Sequence, residues 1–100
     1  MMCYIHGNDA QYLVTLIGEM DTAAAQEAER SLQPLMGNMG KDVIIECESL
    51  EYIASSGLRL LLGILKQAES VGAKVTLRNV KEAIYSVLVY SGFVNLFEFE

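Results

Sequence analysis

The sequence predicts a single α/β domain, a mostly parallel sheet with one antiparallel edge strand and helices on one face. Three observations predict it. Strand-like and helix-like segments alternate in the order β-β-α-β-α-β-α-β, which calls for right-handed crossovers and parallel neighbours. The strand candidates divide apolar from charged side chains, whereas a parallel strand covered on both faces would be apolar throughout. Finally, 52% hydrophobic and 20% charged residues over 100 positions suit one continuous core and leave no room for a second domain.

Residues 3–6 and 11–17 read as two strands joined by the polar turn Gly7-Asn8-Asp9, so the first is the antiparallel exception. In the second, Tyr12, Val14 and Leu16 alternate with Leu13, Thr15 and Ile17. Gly18-Glu19-Met20-Asp21 ends that pattern, and Asp21 is a good N-cap for an alanine-rich helix over 22–35. Pro34 should disturb the end of that helix, with Gly37 and Gly40 closing it. Residues 43–48 form a strand with Val43, Ile45 and Cys47 on one face and Ile44, Glu46 and Glu48 on the other. A helix over 56–71 carries Leu58, Leu61, Leu62, Leu65 and Ala68 at helical spacing, with Gly72 after it. Residues 74–78 repeat the strand division, with Val75 and Leu77 against Lys74, Thr76 and Arg78. A last helix over 81–91 stripes Ile84, Val87, Leu88 and Ser91 and stops at Gly92, before a strand with Phe97 and Phe99 opposite Glu98 and Glu100. Helices should therefore cover the face bearing Val43, Ile45, Val75, Leu77, Phe97 and Phe99. Glu46, Glu48, Lys74 and Arg78 should stay exposed.

Composition excludes several function classes. Net charge of −6 with scattered basic residues argues against a nucleic-acid partner. No apolar run approaches 18 residues, which argues against direct membrane insertion. Met1–Cys3 opens no secretory segment, and Cys3 and Cys47 read as buried hydrophobes of a reduced, cytoplasmic protein. His6 is the only histidine, with no orienting carboxylate nearby, so neither a catalytic dyad nor a metal site is expected. The glycine-rich phosphate motifs are missing, as is a GxSxG elbow around Ser55. The chain is expected to be no enzyme and to carry no cofactor. Glu46 and Glu48 are better matched to Lys74 and Arg78 across strands than to acid–base work.

The segment 50–58, Leu-Glu-Tyr-Ile-Ala-Ser-Ser-Gly-Leu, holds the most information. It follows a strand and opens the most apolar helix. Ser55 or Ser56 can cap that helix, and the same free N–H groups and dipole end would welcome a phosphate dianion. Beyond it, Leu60 and Ile64 lie beside the main stripe together with Gly63. They either widen the arc facing the core or form an exposed docking surface beside Ser55.

Gly18-Glu19-Met20-Asp21 and Tyr52-Ile53-Ala54-Ser55-Ser56-Gly57-Leu58 resemble the G-E-L-D and I-D-S-S-G-L motifs of the anti-sigma factor antagonist family, the small bacterial STAS domains. The order of elements agrees from about residue 4 to 99, including Ser91-Gly92-Phe93 before the last strand. The resemblance implies a STAS-like domain that binds an anti-sigma factor with serine-kinase activity and so frees a sigma factor. It makes Ser55 the phosphorylation site, reset by a separate serine phosphatase. It puts Asp21 on the kinase-facing surface beside Ser55 and Ser56, and together with the docking surface read from the helix the expected partner-binding residues are Asp21, Ser56, Gly57, Leu58, Leu60 and Ile64. Ala54 departs from the pattern by replacing the family's aspartate. That departure points to an alternative, a non-phosphorylated STAS subunit of a lipid-transport ATPase complex at the inner membrane. A small hydrolase using Ser55 lacks a base.

Overall fold

A computed structural model describes residues 1–37 and 40–100. Strands β1 (Met2–Gly7) and β2 (Gln11–Met20) form an antiparallel hairpin. Helices α1 (Thr22–Ser31) and α2 (Gln33–Met36) lead to strand β3 (Asp42–Ile53). Helix α3 (Ser55–Ser70), strand β4 (Val75–Arg78) and helix α4 (Glu82–Ser91) follow. A 3-10 turn over Val94–Leu96 precedes strand β5 (Glu98–Phe99). The sheet order is β1-β2-β3-β4-β5, and every pair after the first is parallel. The α/β class, the mixed sheet and the antiparallel edge strand agree with the sequence.

The inward rows carry the core. Val14, Leu16, Val43, Ile45, Cys47, Val75, Leu77 and Phe97 are all buried, with Leu61, Ile64, Leu65, Ile84 and Leu88 of the helices packed among them. At about 25 cal/mol per Å² of apolar surface removed from water, each large side chain in this layer contributes roughly 1.5–3 kcal/mol. Burial pushes the Cys47 thiol up to about 12, with the Glu46 charge adding to it, so that sulfur is an inert filler. Gly72 and Gly92 follow α3 and α4 at φ of +77° and +81°, a conformation that suits a residue without Cβ.

Four expectations change. The helix expected over 22–35 breaks at Leu32 (φ −97°, ψ 8°), and Pro34 falls in the first turn of α2, where its missing N–H costs nothing. The break lets Leu32 and Leu35 both point inward, each 1% exposed. Strand β3 is longer than 43–48 because its alternation changes period. Thr15 pairs with Glu46 but Ile17 with Ser49, and Gly18 pairs with Leu50 but Glu19 with Tyr52, so β3 carries an extra residue twice. Inward positions then step from Cys47 to Leu50 to Ile53, a spacing of three that hides a strand from a period-two reading. Phe99, expected in the core, is 39% exposed, because β5 is a two-residue edge strand. Its ring meets Tyr85 edge-on at 5.4 Å instead.

Glu46 and Arg78 are half-buried rather than exposed, and pairing is the reason. They sit opposite one another in the β3–β4 register, with Arg78 Nε donating to Glu46 Oε1 at 3.0 Å. Asn79 Nδ2 donates to both Glu46 oxygens and the Glu48 amide to Oε2 at 3.1 Å. Burial alone would raise the Glu46 carboxyl, but these hydrogen bonds and the guanidinium charge hold it below its ordinary value.

Candidate functional site

The carboxyl ends of parallel strands are where an α/β sheet presents loops and helix starts together. Here β2 feeds α1 through Asp21, and β3 feeds α3 through Ala54. The two junctions are tied side by side. The Ala54 N–H donates to Met20 O at 2.8 Å, and Ser56 Oγ donates to Thr22 Oγ1 at 3.4 Å.

Gly57 makes this closeness possible. A Cβ there would sit 2.7 Å from Ile53 Cγ1 and 2.7 Å from Met20 Sδ, both buried. The helix start can lie against the strand ends only because position 57 has no side chain. Gly57 and Leu58 are buried beneath the site and hold it from below.

Neither serine caps α3, contrary to the sequence expectation. The N-cap is Ala54 (φ −83°, ψ 168°), which has no side chain able to accept a bond. The first turn contains no acidic residue. Ser55 occupies the first helical position and is exposed, and its hydroxyl has no hydrogen-bond partner among the described residues. The opening N–H groups of any helix lack intrahelical acceptors, so Ser55 stands beside a small field of unsatisfied donors. Asp21 is also exposed, but its Oδ1 is committed to the Ala24 N–H at 2.8 Å as the cap of α1.

Leu60 remains half-buried at the surface between α1 and α3, while Ile64 is 1% exposed and Leu58 7%. For Ile64 and Leu58 the core-facing arc is therefore correct and the exposed docking surface is not: both pack under the sheet-facing side of α3. What a molecule approaching Ser55 meets is Ser56, Leu60 and a groove of about 420 Å³ whose lining includes Thr22, Gln26, Glu29 and Arg59. These last residues were missed. Their signal was a second, polar periodicity, Thr22, Gln26 and Glu29 on one helix facing Ser56, Arg59 and Gly63 on the other. Tyr52 is half-exposed two residues before the cap, and Lys81 at the start of α4 pairs with Glu51 beside it.

Among the described residues, no group of three His, Cys, Asp or Glu side chains could hold a metal ion. His6 lies exposed on β1, and among the described residues no helix is long and apolar enough to cross a membrane. The arrangement offers a hydroxyl, open amide donors and a shallow groove.

A family model described as STAS domain matches residues 3–100. The BtrV protein of Bordetella bronchiseptica is 29% identical over 89 residues, covering 89% of this chain and 77% of its own. The anti-sigma-B factor antagonist of Staphylococcus aureus is 27% identical over 88 residues, covering 88% of this chain and 82% of its own. Among solved structures, the anti-sigma factor antagonist SpoIIAA in its unphosphorylated form superposes with a TM-score of 0.84 at 21% identity, over 99% of this chain and 88% of the other. The Bacillus SpoIIAA structure in the phosphorylated form gives 0.77 at 21% identity, over 99% and 91%. At that identity the superpositions establish a shared fold.

Proposed function

The chain belongs to the STAS domain family, and we propose that it is an anti-sigma factor antagonist, a binding switch whose setting is phosphorylation of Ser55. One observation carries the reading: Ser55 is exposed on the first turn of α3, a turn with no side-chain cap and no acidic residue, next in sequence to Ser56, which lines the α1–α3 groove. The partner is an anti-sigma factor with serine-kinase activity, which docks over Asp21, Ser55, Ser56 and Leu60 and supplies the nucleotide. A serine phosphatase restores the hydroxyl. The domain is then substrate and ligand, and its own residues perform no catalysis.

Phosphate at Ser55 adds about −1.5 to −2 charges where the helix can tolerate them. The fold survives while a partner's acidic or apolar contact does not. Ser55→Asp should weaken partner binding at least tenfold, about 1.4 kcal/mol, and Ser55→Ala should bind but gain no mass on incubation with the kinase. Titration calorimetry and intact-mass spectrometry read the two outcomes. Equal affinity of Ser55→Asp and wild type would sink the switch. It would favour a STAS subunit that is never phosphorylated, a reading to which Ala54 in place of the family's aspartate lends support.

A further inference from the structure

The two edges of the sheet are finished differently. Strand β5 is two residues long, and Phe99 there lies between Glu98 and Glu100. A short strand bracketed by carboxylates is a poor template for a new strand. Strand β1 runs for six residues, Met-Cys-Tyr-Ile-His-Gly, without Asp, Glu, Lys, Arg or Pro. Its register with β2 is unbroken from Met2 to Gly7, so no bulge turns the edge away. Among the described residues no strand lies beyond it. Its outer N–H and C=O groups are therefore an unprotected row, and Met2 and Tyr4 beside them are 52% and 55% exposed.

We propose that β1 is a self-association edge, on which a second copy of this chain pairs antiparallel about Tyr4 to continue the sheet. Self-complementarity selects the second copy as occupant, because a two-fold register on this strip matches its half-buried residues with one another and its exposed residues with one another. Each chain carries a net −6, which opposes contact over most of the surface, but the β1 strip itself carries no formal charge. A two-fold axis normal to the sheet keeps each copy's helices on the same side and sets like faces opposite one another. Centred on Tyr4, it places Tyr4 against the second copy's Tyr4, Cys3 against its Ile5 and Met2 against its His6. Cys3 and Ile5 already pack half-buried on the edge of the core, so their meeting extends that core across the axis. Tyr4 and Met2, whose side chains touch through a hydroxyl-to-sulfur contact of 3.1 Å, cover the other face. The strand is about 20 Å long, which makes a small interface and a dimer in rapid exchange with monomer.

Sedimentation velocity over a concentration series tests this without any partner protein. Wild type should shift from monomer towards dimer as concentration rises. Tyr4→Lys, which sets like charges across the axis at an exposed position, should raise the dimer dissociation constant at least tenfold with an unchanged circular dichroism spectrum. Phe99→Lys on the opposite edge should leave the constant unchanged. In a Cys3→Ser background, Tyr4→Cys should form a disulfide-linked dimer under mild oxidation, because opposed residues of an antiparallel pair have Cα atoms 4.5–5.5 Å apart. A monomer at every concentration overturns the proposal. So does a dimer that Tyr4→Lys leaves intact, or one that Phe99→Lys abolishes.

Discussion

Helices α1 and α3 start side by side at one end of the sheet, yet their first turns are built oppositely. At α1 the Asp21 carboxylate closes the turn, accepting from the Ala24 N–H at 2.8 Å. At α3 the cap position holds Ala54, whose backbone has cap geometry and whose side chain can do nothing with it. A capped turn has its donors satisfied and its negative charge already in place. An uncapped turn has donors to spare, and Ser55 stands on it. The same local motif thus serves stability at one junction and availability at the other.

Breaking the shared scaffold gives the largest effect. Gly57→Ala forces a methyl against Ile53 and Met20, an overpacking of about 1–3 kcal/mol. A melting temperature lower by several degrees in a denaturation series checks it, and an unchanged one would mean the α3 start is not held close to the strands.

The caps themselves come next. Asp21→Ala should cost about 1 kcal/mol, within the usual range of 0.5–2 for a lost cap, or roughly 4–8 °C in a domain this size. Ala54→Asp should move stability the other way by a similar amount, since it supplies the acceptor that α3 lacks. Paired urea titrations of the two variants read this directly. If Ala54→Asp leaves the midpoint where it was, the asymmetry between the helix starts has no energetic content. If the proposed kinase uses Ser55, the same variant should raise or preserve the rate of its modification.

The smallest expected effect lies away from both junctions, at Glu46. Its carboxyl is held below the ordinary value in the folded state, so its contribution is fully present above the unfolded carboxylate pKa. That contribution is lost as pH falls through the lower folded value. Stability measured from neutral towards acid pH should therefore decline less steeply in Glu46→Gln than in wild type, from a lower start. Parallel slopes would show that the Arg78 and Asn79 contacts do not discriminate between the charged and neutral carboxyl.

Much of this is legible in the amino-acid sequence. Period-two alternation at Val43, Ile45 and Cys47 and again at Val75 and Leu77, with helical stripes between, determined the α/β class and the single covered face, because burial of apolar surface acts locally through side-chain period. The G-E-x-D and S-S-G stretches likewise marked the two junctions, the first through Asp21, whose cap is a local demand, and both through their likeness to family motifs. The need for glycine at 57, in contrast, comes from Met20 on another strand. Tertiary structure decided what depends on neighbours far along the chain. The two extra residues of β3 exist only relative to β2, and they carry the strand on to Ile53 beside Met20. Whether Ser55 capped its helix turned on where that longer strand ended, which placed Ala54 at the cap and Ser55 outside it. Ile64 went inward and Leu60 stayed at the surface because α1 and the sheet divide the circumference of α3 between them, and no helical period contains the position of the second body that covers it.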